Sequence, residues 1–119
     1  VPRILVVDDE PLISMMVEDW LSELGCEVVG PVRSVADGME LATAAALDGA
    51  ILDIRLGDGD SYPLARALLS RGIPFAFATG QGDGGLEADF ENQIVLMKPF
   101  DFASVQDVVG KLLASQLTQ

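Results

Sequence analysis

The chain has 119 residues, 50% of them hydrophobic and 22% charged, with no Ser/Pro/Gln-rich tract, which is enough for one packed domain and too little for a second. Nineteen acidic residues against seven basic ones leave a net charge of −12, which repels a phosphate backbone or an anionic lipid surface and argues against nucleic-acid and membrane binding. Histidine is missing, which excludes a Ser-His-Asp or Cys-His triad, a histidine metal site and a phosphohistidine carrier, so any chemistry must rest on carboxylates.

The chain opens on Val1 rather than Met, as a protein trimmed or cut from a longer one would, and its start lacks the basic, apolar and cleavage regions of a signal peptide. Residues 3–7 form an apolar run ending in Asp8-Asp9, which predicts a strand buried on both faces whose acids emerge at its C-terminal end. Pro11 suits a first helical turn. Leu12, Ile13, Met16, Val17, Trp20, Leu21 and Leu24 then recur at helical spacing, with Trp20 as a core residue, and Gly25 stops the segment. Cys26, the single cysteine, follows that stop and reads as a buried structural thiol. Alone it makes no internal disulfide, which fits a reducing cytoplasm.

Residues 27–32 predict a second strand, and Pro31 argues for its position at a sheet edge. Ser34 can cap a helix carrying Val35, Met39, Leu41 and Ala42. A third strand follows at 50–54, then the turn-rich Gly57-Asp58-Gly59-Asp60 and a helix through Leu64, Leu68 and Leu69 that ends at Gly72. Residues 74–79 and 94–97 read as the fourth and fifth strands, and a last helix carries Phe102, Val105, Val108, Val109, Leu112 and Leu113. Between those strands, residues 80–93 must supply a loop, a helix and a return. Gly80, Gly82, Gly84 and Gly85 make the first half a poor helix, and 86–92 has room for two turns at most. No apolar run reaches the roughly 18 residues that a membrane span needs.

Five strands alternating with helices imply right-handed crossovers and a parallel α/β sheet covered on both faces, one domain over residues 1–119. Such sheets bind ligands beyond the C-terminal ends of their strands, and Asp8, Asp9, Asp53, Thr79 and Lys98 all fall there. Carboxylates converging in low dielectric need a proton or a cation, and a hard, oxygen-ligated Mg²⁺ is the natural cation. Asp53 ends the central strand and is the best-placed nucleophile. Lys98, one of two lysines, follows an apolar strand from which a long cation could reach a phosphoryl oxygen, and Thr79 offers a hydroxyl. Singly, each has an ordinary structural role as loop start, turn cap, strand residue or surface charge. Their convergence on one sheet end points to a site.

In combination and order, Val-Val-Asp-Asp-Glu-Pro at 6–11, Ile-Leu-Asp-Ile-Arg-Leu at 51–56, Phe-Ala-Thr-Gly at 77–80 and Lys-Pro-Phe at 98–100 resemble the response-regulator receivers of two-component systems over essentially the whole chain. The resemblance implies a flavodoxin-like, doubly wound five-stranded sheet of order 2-1-3-4-5. It implies that Asp53 is the phosphoacceptor, that Asp8, Asp9, Asp53 and the backbone carbonyl of Arg55 hold Mg²⁺, and that Thr79 and Lys98 bind the phosphoryl group. A cis bond between Lys98 and Pro99 belongs to the same pattern. The implied partners are a histidine kinase or histidine phosphotransfer protein and a downstream protein, and the implied activity is that of a switch rather than a turnover enzyme.

Two departures stand out. Val95 lies three residues before Lys98, where common receivers carry a switch Tyr or Phe, so Thr-to-aromatic coupling does not carry over. Phe77-Ala78-Thr79-Gly80 instead opens the motif of a receiver subgroup without that aromatic, although Gln81-Gly82 replace its next residues. Readout through residues 80–92 is therefore the expectation. Three other readings compete. Residues 80–85 spell a dinucleotide-binding G-x-G-x-x-G, but with Asp83 in the loop and Glu87 and Asp89 after it. Haloacid-dehalogenase-like phosphatases need D-x-D, and Arg55 occupies the second position. A pseudo-receiver would bind a partner without phosphorylation, which the full set of site residues argues against.

Overall fold

The structure is a computed structural model that describes residues 1–80, 86–90 and 93–117. Five strands, β1 (Arg3–Val7), β2 (Glu27–Val32), β3 (Gly49–Asp53), β4 (Phe75–Thr79) and β5 (Ile94–Met97), form one parallel sheet. Their spatial order is β2-β1-β3-β4-β5, the flavodoxin-like order expected from the sequence. Helices α1 (Pro11–Glu23), α2 (Val35–Ala44), α3 (Tyr62–Ser70) and α4 (Phe102–Leu117) cover its two faces.

Strand side chains alternate between the faces, so the continuous apolar runs supply two cores at once. Leu5, Val7, Leu52, Phe75 and Phe77 pack on one side with Ala42 of α2 and Leu64, Ala65 and Leu68 of α3. Ile4, Val6, Ile51, Ala76, Ala78 and Leu96 pack on the other with Val17 and Leu21 of α1 and Val105, Val108, Val109 and Leu112 of α4. Each fully buried Leu, Ile or Phe here contributes about 1.5–3 kcal/mol by leaving water.

Local chemistry sets the element ends. Gly25 takes φ +82° after α1, where its N–H reaches Ser22 O at 3.1 Å and that of Cys26 reaches Leu21 O at 2.9 Å. Gly72, at φ +71°, closes α3 through the same pair of bonds to Leu69 O and Leu68 O. Ser34 caps α2 by accepting from Asp37 N–H at 3.1 Å. The exposed carboxylate of Asp58 adds a long-range cap, accepting from Val35 N–H at 2.8 Å. Asp58 belongs to the connection after β3, in which Arg55 and Leu56 pair with Asp60 and Gly59 as a short antiparallel hairpin. At the sheet edge, Leu5 pairs with Val29 but Val7 with Val32, so a bulge absorbs the extra residue beside Pro31, which has no N–H to donate.

Several boundaries differ from the sequence reading. β3 begins at Gly49 and ends at Asp53, β4 begins after Pro74, and α3 ends at Ser70, short of Gly72. Leu12 is 69% exposed rather than part of the buried stripe. At about 100° per residue it lies roughly 140° around the helix from the buried Val17. Trp20 is only half-buried, packing edge-on to Phe100 with ring centroids 6.4 Å apart. Cys26 is buried as expected, and burial pushes its thiol above the ordinary value. Within the stretch expected to form two turns at most, residues 88–90 form a single 3₁₀ turn, whose Phe90 is buried. The rest of the glycine-rich segment and of the dinucleotide-like spelling, residues 81–85, 91 and 92, lies outside the described residues.

Candidate functional site

The parallel topology carries the sequence-identified residues to one end of the sheet. Asp8 directly follows β1, Asp53 closes β3, Thr79 closes β4 and Lys98 directly follows β5. Asp53 stands opposite Ala78 in the register of β3 with β4, and Thr79 opposite Met97 in that of β4 with β5. The Lys98 N–H donates to Thr79 O at 2.7 Å, and the Lys98-Pro99 bond is cis as the family pattern implies. Asp8 is fastened through its backbone, its N–H reaching Val32 O at 3.0 Å and its carbonyl accepting from Ser14 Oγ at 3.2 Å. Ser14 is thereby one of the few buried polar side chains.

Asp8 and Asp53 are 4% and 6% exposed. One carboxylate oxygen from each of Asp8, Asp9, Glu10 and Asp53 lies within 4.8 Å of the others. Lys98 reaches into this group, with Nζ 3.4 Å from Asp8 Oδ2, 3.4 Å from Asp53 Oδ2 and 2.8 Å from Glu10 Oε1. One ammonium cannot offset so many carboxylates. Burial, reinforced by the charge of Asp8 and opposed by Lys98, pushes the Asp53 carboxyl up to about 7. Asp8 is raised by burial as well, against the hydrogen bond from Glu10 N–H and the charge of Lys98. Burial disfavours the Lys98 ammonium, but its bond to Glu10 and the charges of Asp8 and Asp53 outweigh that and hold it above its ordinary value. The cluster thus favours an added proton on a carboxyl, or an added cation.

An all-oxygen donor set with excess negative charge fits Mg²⁺, which takes one or two carboxylates, few other protein ligands and several waters. Arg55, whose carbonyl the resemblance adds to the set, opens the hairpin two residues beyond Asp53. The Thr79 hydroxyl donates to Gly80 O at 3.4 Å. The structure therefore brings together Asp8, Asp9, Asp53 and Lys98 by side-chain geometry and places Thr79 at the adjoining strand end. Sequence reasoning passed over Glu10, which joins both the carboxylate group and the Lys98 contacts. The run of three acids at 8–10 was its signal.

Residues 4–109 match the model of the response regulator receiver domain. The chain belongs to that family. Among similar proteins, this receiver is 43% identical to SdrG from Sphingomonas melonis Fr1, with 95% of this chain and 97% of SdrG covered and a TM-score of 0.85. The TM-score is 0.79 against the beryllofluoride-activated conformation of SdrG. It is 32% identical to the phyllosphere-induced regulator PhyR of Methylorubrum extorquens over 96% of its own length, but spans 44% of PhyR. The receiver domain of the sensor histidine kinase PA1611 from Pseudomonas aeruginosa PAO1 is 26% identical, with a TM-score of 0.79 over 95% of this chain and 98% of that one, and has a magnesium ion coordinated in its active-site cleft. Among the described residues of this receiver, no helix is long and apolar enough to cross a membrane.

Proposed function

We propose that this receiver takes a phosphoryl group onto Asp53 from the phosphohistidine of a histidine kinase or histidine phosphotransfer protein, in a Mg²⁺-dependent reaction. One observation carries the proposal: buried Asp53, its neighbouring carboxylates and Lys98 converge at the C-terminal end of the central strand. A carboxylate oxygen of Asp53 attacks phosphorus, and the P–O bond forms as the P–N bond to the donor imidazole breaks and its electron pair stays on nitrogen. The attack requires an ionised Asp53, so the proton that burial favours must first leave.

Asp8, Asp9, Asp53 and the carbonyl of Arg55 would hold Mg²⁺, which supplies positive charge against the carboxylates and the phosphoryl oxygens. Lys98 and Thr79 bind the remaining phosphoryl oxygens. The proposed domain is residues 1–119, a reading supported by α4, which continues past residue 109 with Leu112 buried in the core. It works as a switch in the cytoplasm, passing its state to a downstream protein and contacting neither nucleic acid nor membrane, as its net charge of −12 favours.

Acetyl phosphate with Mg²⁺ tests the proposal. Intact mass should rise by one phosphoryl group in the wild type and not in Asp53→Asn, and a peptide map placing the adduct elsewhere would overturn the assignment. Repeated hydrolysis of an external phosphate ester would instead favour a phosphatase.

A further inference from the structure

On the sheet face that carries Phe75 and Phe77, residues 86–90 are fastened to α3. Phe90 is 1% exposed and packs edge-on to Phe75 and Phe77, with centroid separations of 6.2 and 5.6 Å. Its ring stacks on Tyr62 at 5.3 Å with 19° between the planes, and the Arg66 guanidinium lies over it, 5.3 Å from the centroid. Two polar contacts close the same seam: Glu87 N–H donates to the Tyr62 hydroxyl at 3.2 Å, and Arg66 pairs with the Glu87 carboxylate at 2.9 Å. Tyr62 and Arg66 stand on one face of α3, four residues apart, and all these groups lie within the described residues.

Both sides of this seam connect to the site. Tyr62 N–H donates to Asp60 Oδ1 at 3.1 Å, and Asp60 pairs with Arg55 two residues past Asp53. Phe77, which meets Tyr62 edge-on at 5.5 Å, sits two residues before Thr79 on β4. Val95 is too small to report movement of Thr79 as a ring would, whereas Tyr62 is a large polar-tipped ring that touches both approaches.

We propose that Tyr62 and Arg66 form a clasp holding residues 86–90 on α3 in the unmodified receiver, and that occupation of the Asp53 site loosens it, so that α3 shares in the output. The coupling rests on the phosphoacceptor role of Asp53, whereas the clasp itself does not. Contacts made more strongly in one state than in the other oppose the second state, so weakening the clasp must favour the occupied site by the same factor.

The test uses Tyr62→Phe, which deletes only the hydroxyl, and Arg66→Gln on the exposed side of the seam. In the protein without beryllofluoride, both should speed amide hydrogen exchange across residues 86–90, most at Glu87. Both should also tighten Mg²⁺-dependent beryllofluoride binding about threefold, the scale of one modest hydrogen bond. Beryllofluoride should speed wild-type exchange at Glu87. Unchanged exchange in both variants would remove the clasp, and faster exchange with unchanged beryllofluoride affinity would remove the coupling. Failure of the wild type to bind beryllofluoride would overturn the role of Asp53, while the exchange comparison would still decide the clasp.

Discussion

Lys98 Nζ lies 3.4 Å from Asp53 Oδ2, bridging the ends of two strands that are not adjacent in the sheet. Its side chain is 15% exposed, so the contact is better shielded from solvent than the receiver's surface ion pairs. Removing the cation leaves Asp8 and Asp53 facing each other with no other positive charge against them among the described residues. Lys98→Met should lower the metal-free unfolding free energy by about 1–3 kcal/mol, below the range for a fully buried pair because the site is partly hydrated. Saturating Mg²⁺ should recover much of that loss. Urea unfolding decides it: an unchanged midpoint in metal-free buffer would show that Lys98 does not offset the carboxylates.

Mg²⁺ should stabilise the wild type by relieving the same repulsion. At a free concentration ten times the dissociation constant, linkage gives about 1.4 kcal/mol. Asp9→Ala should abolish the metal-dependent shift in melting temperature and leave the metal-free protein at least as stable as the wild type. Equal shifts in both proteins would remove Asp9 from the metal set.

The raised Asp53 pKa also sets a pH dependence. The unfolded carboxyl titrates near 3.8 and the folded one at about 7, so between those values the folded state binds more protons. Without metal, Asp53 therefore subtracts stability as pH rises through that window. Asp53→Asn should gain on the wild type between pH 5 and pH 8. Because Mg²⁺ displaces the proton, its binding should tighten by up to about tenfold for each unit that pH rises towards 7 and level off above it. Denaturation series and metal titrations at several pH values read both effects. A stability difference between wild type and Asp53→Asn that stays flat over that range would contradict the burial argument.

Val95 is 36% exposed on the edge strand and has no ring with which to follow Thr79. Beryllofluoride with Mg²⁺ should therefore change amide exchange most strongly within residues 80–92, and Thr79→Ala should suppress that change while still permitting modification of Asp53. The largest response in another element would place the switch there instead.

The sheet, its helices and the location of the site were legible because they rest on local chemistry. Apolar runs with no polar alternation demand a doubly covered parallel sheet, Gly25 and Gly72 supply the positive φ that ends two helices, and strand-end acids in such a sheet must meet. Leu12 was misplaced because a stripe of apolar letters does not say which flank of a helix the sheet covers. Tertiary structure alone decided the rest: that Glu10 shares Lys98 with Asp8 and Asp53, that Asp58 caps a helix from across a hairpin, and that Phe90 finds Tyr62 and Arg66. Those contacts join residues far apart in the chain, where spacing carries no signal. The upward shift of Asp53 has the same origin, since desolvation depends on the summed packing of both faces and on the charges that folding brings near, not on the letters beside it.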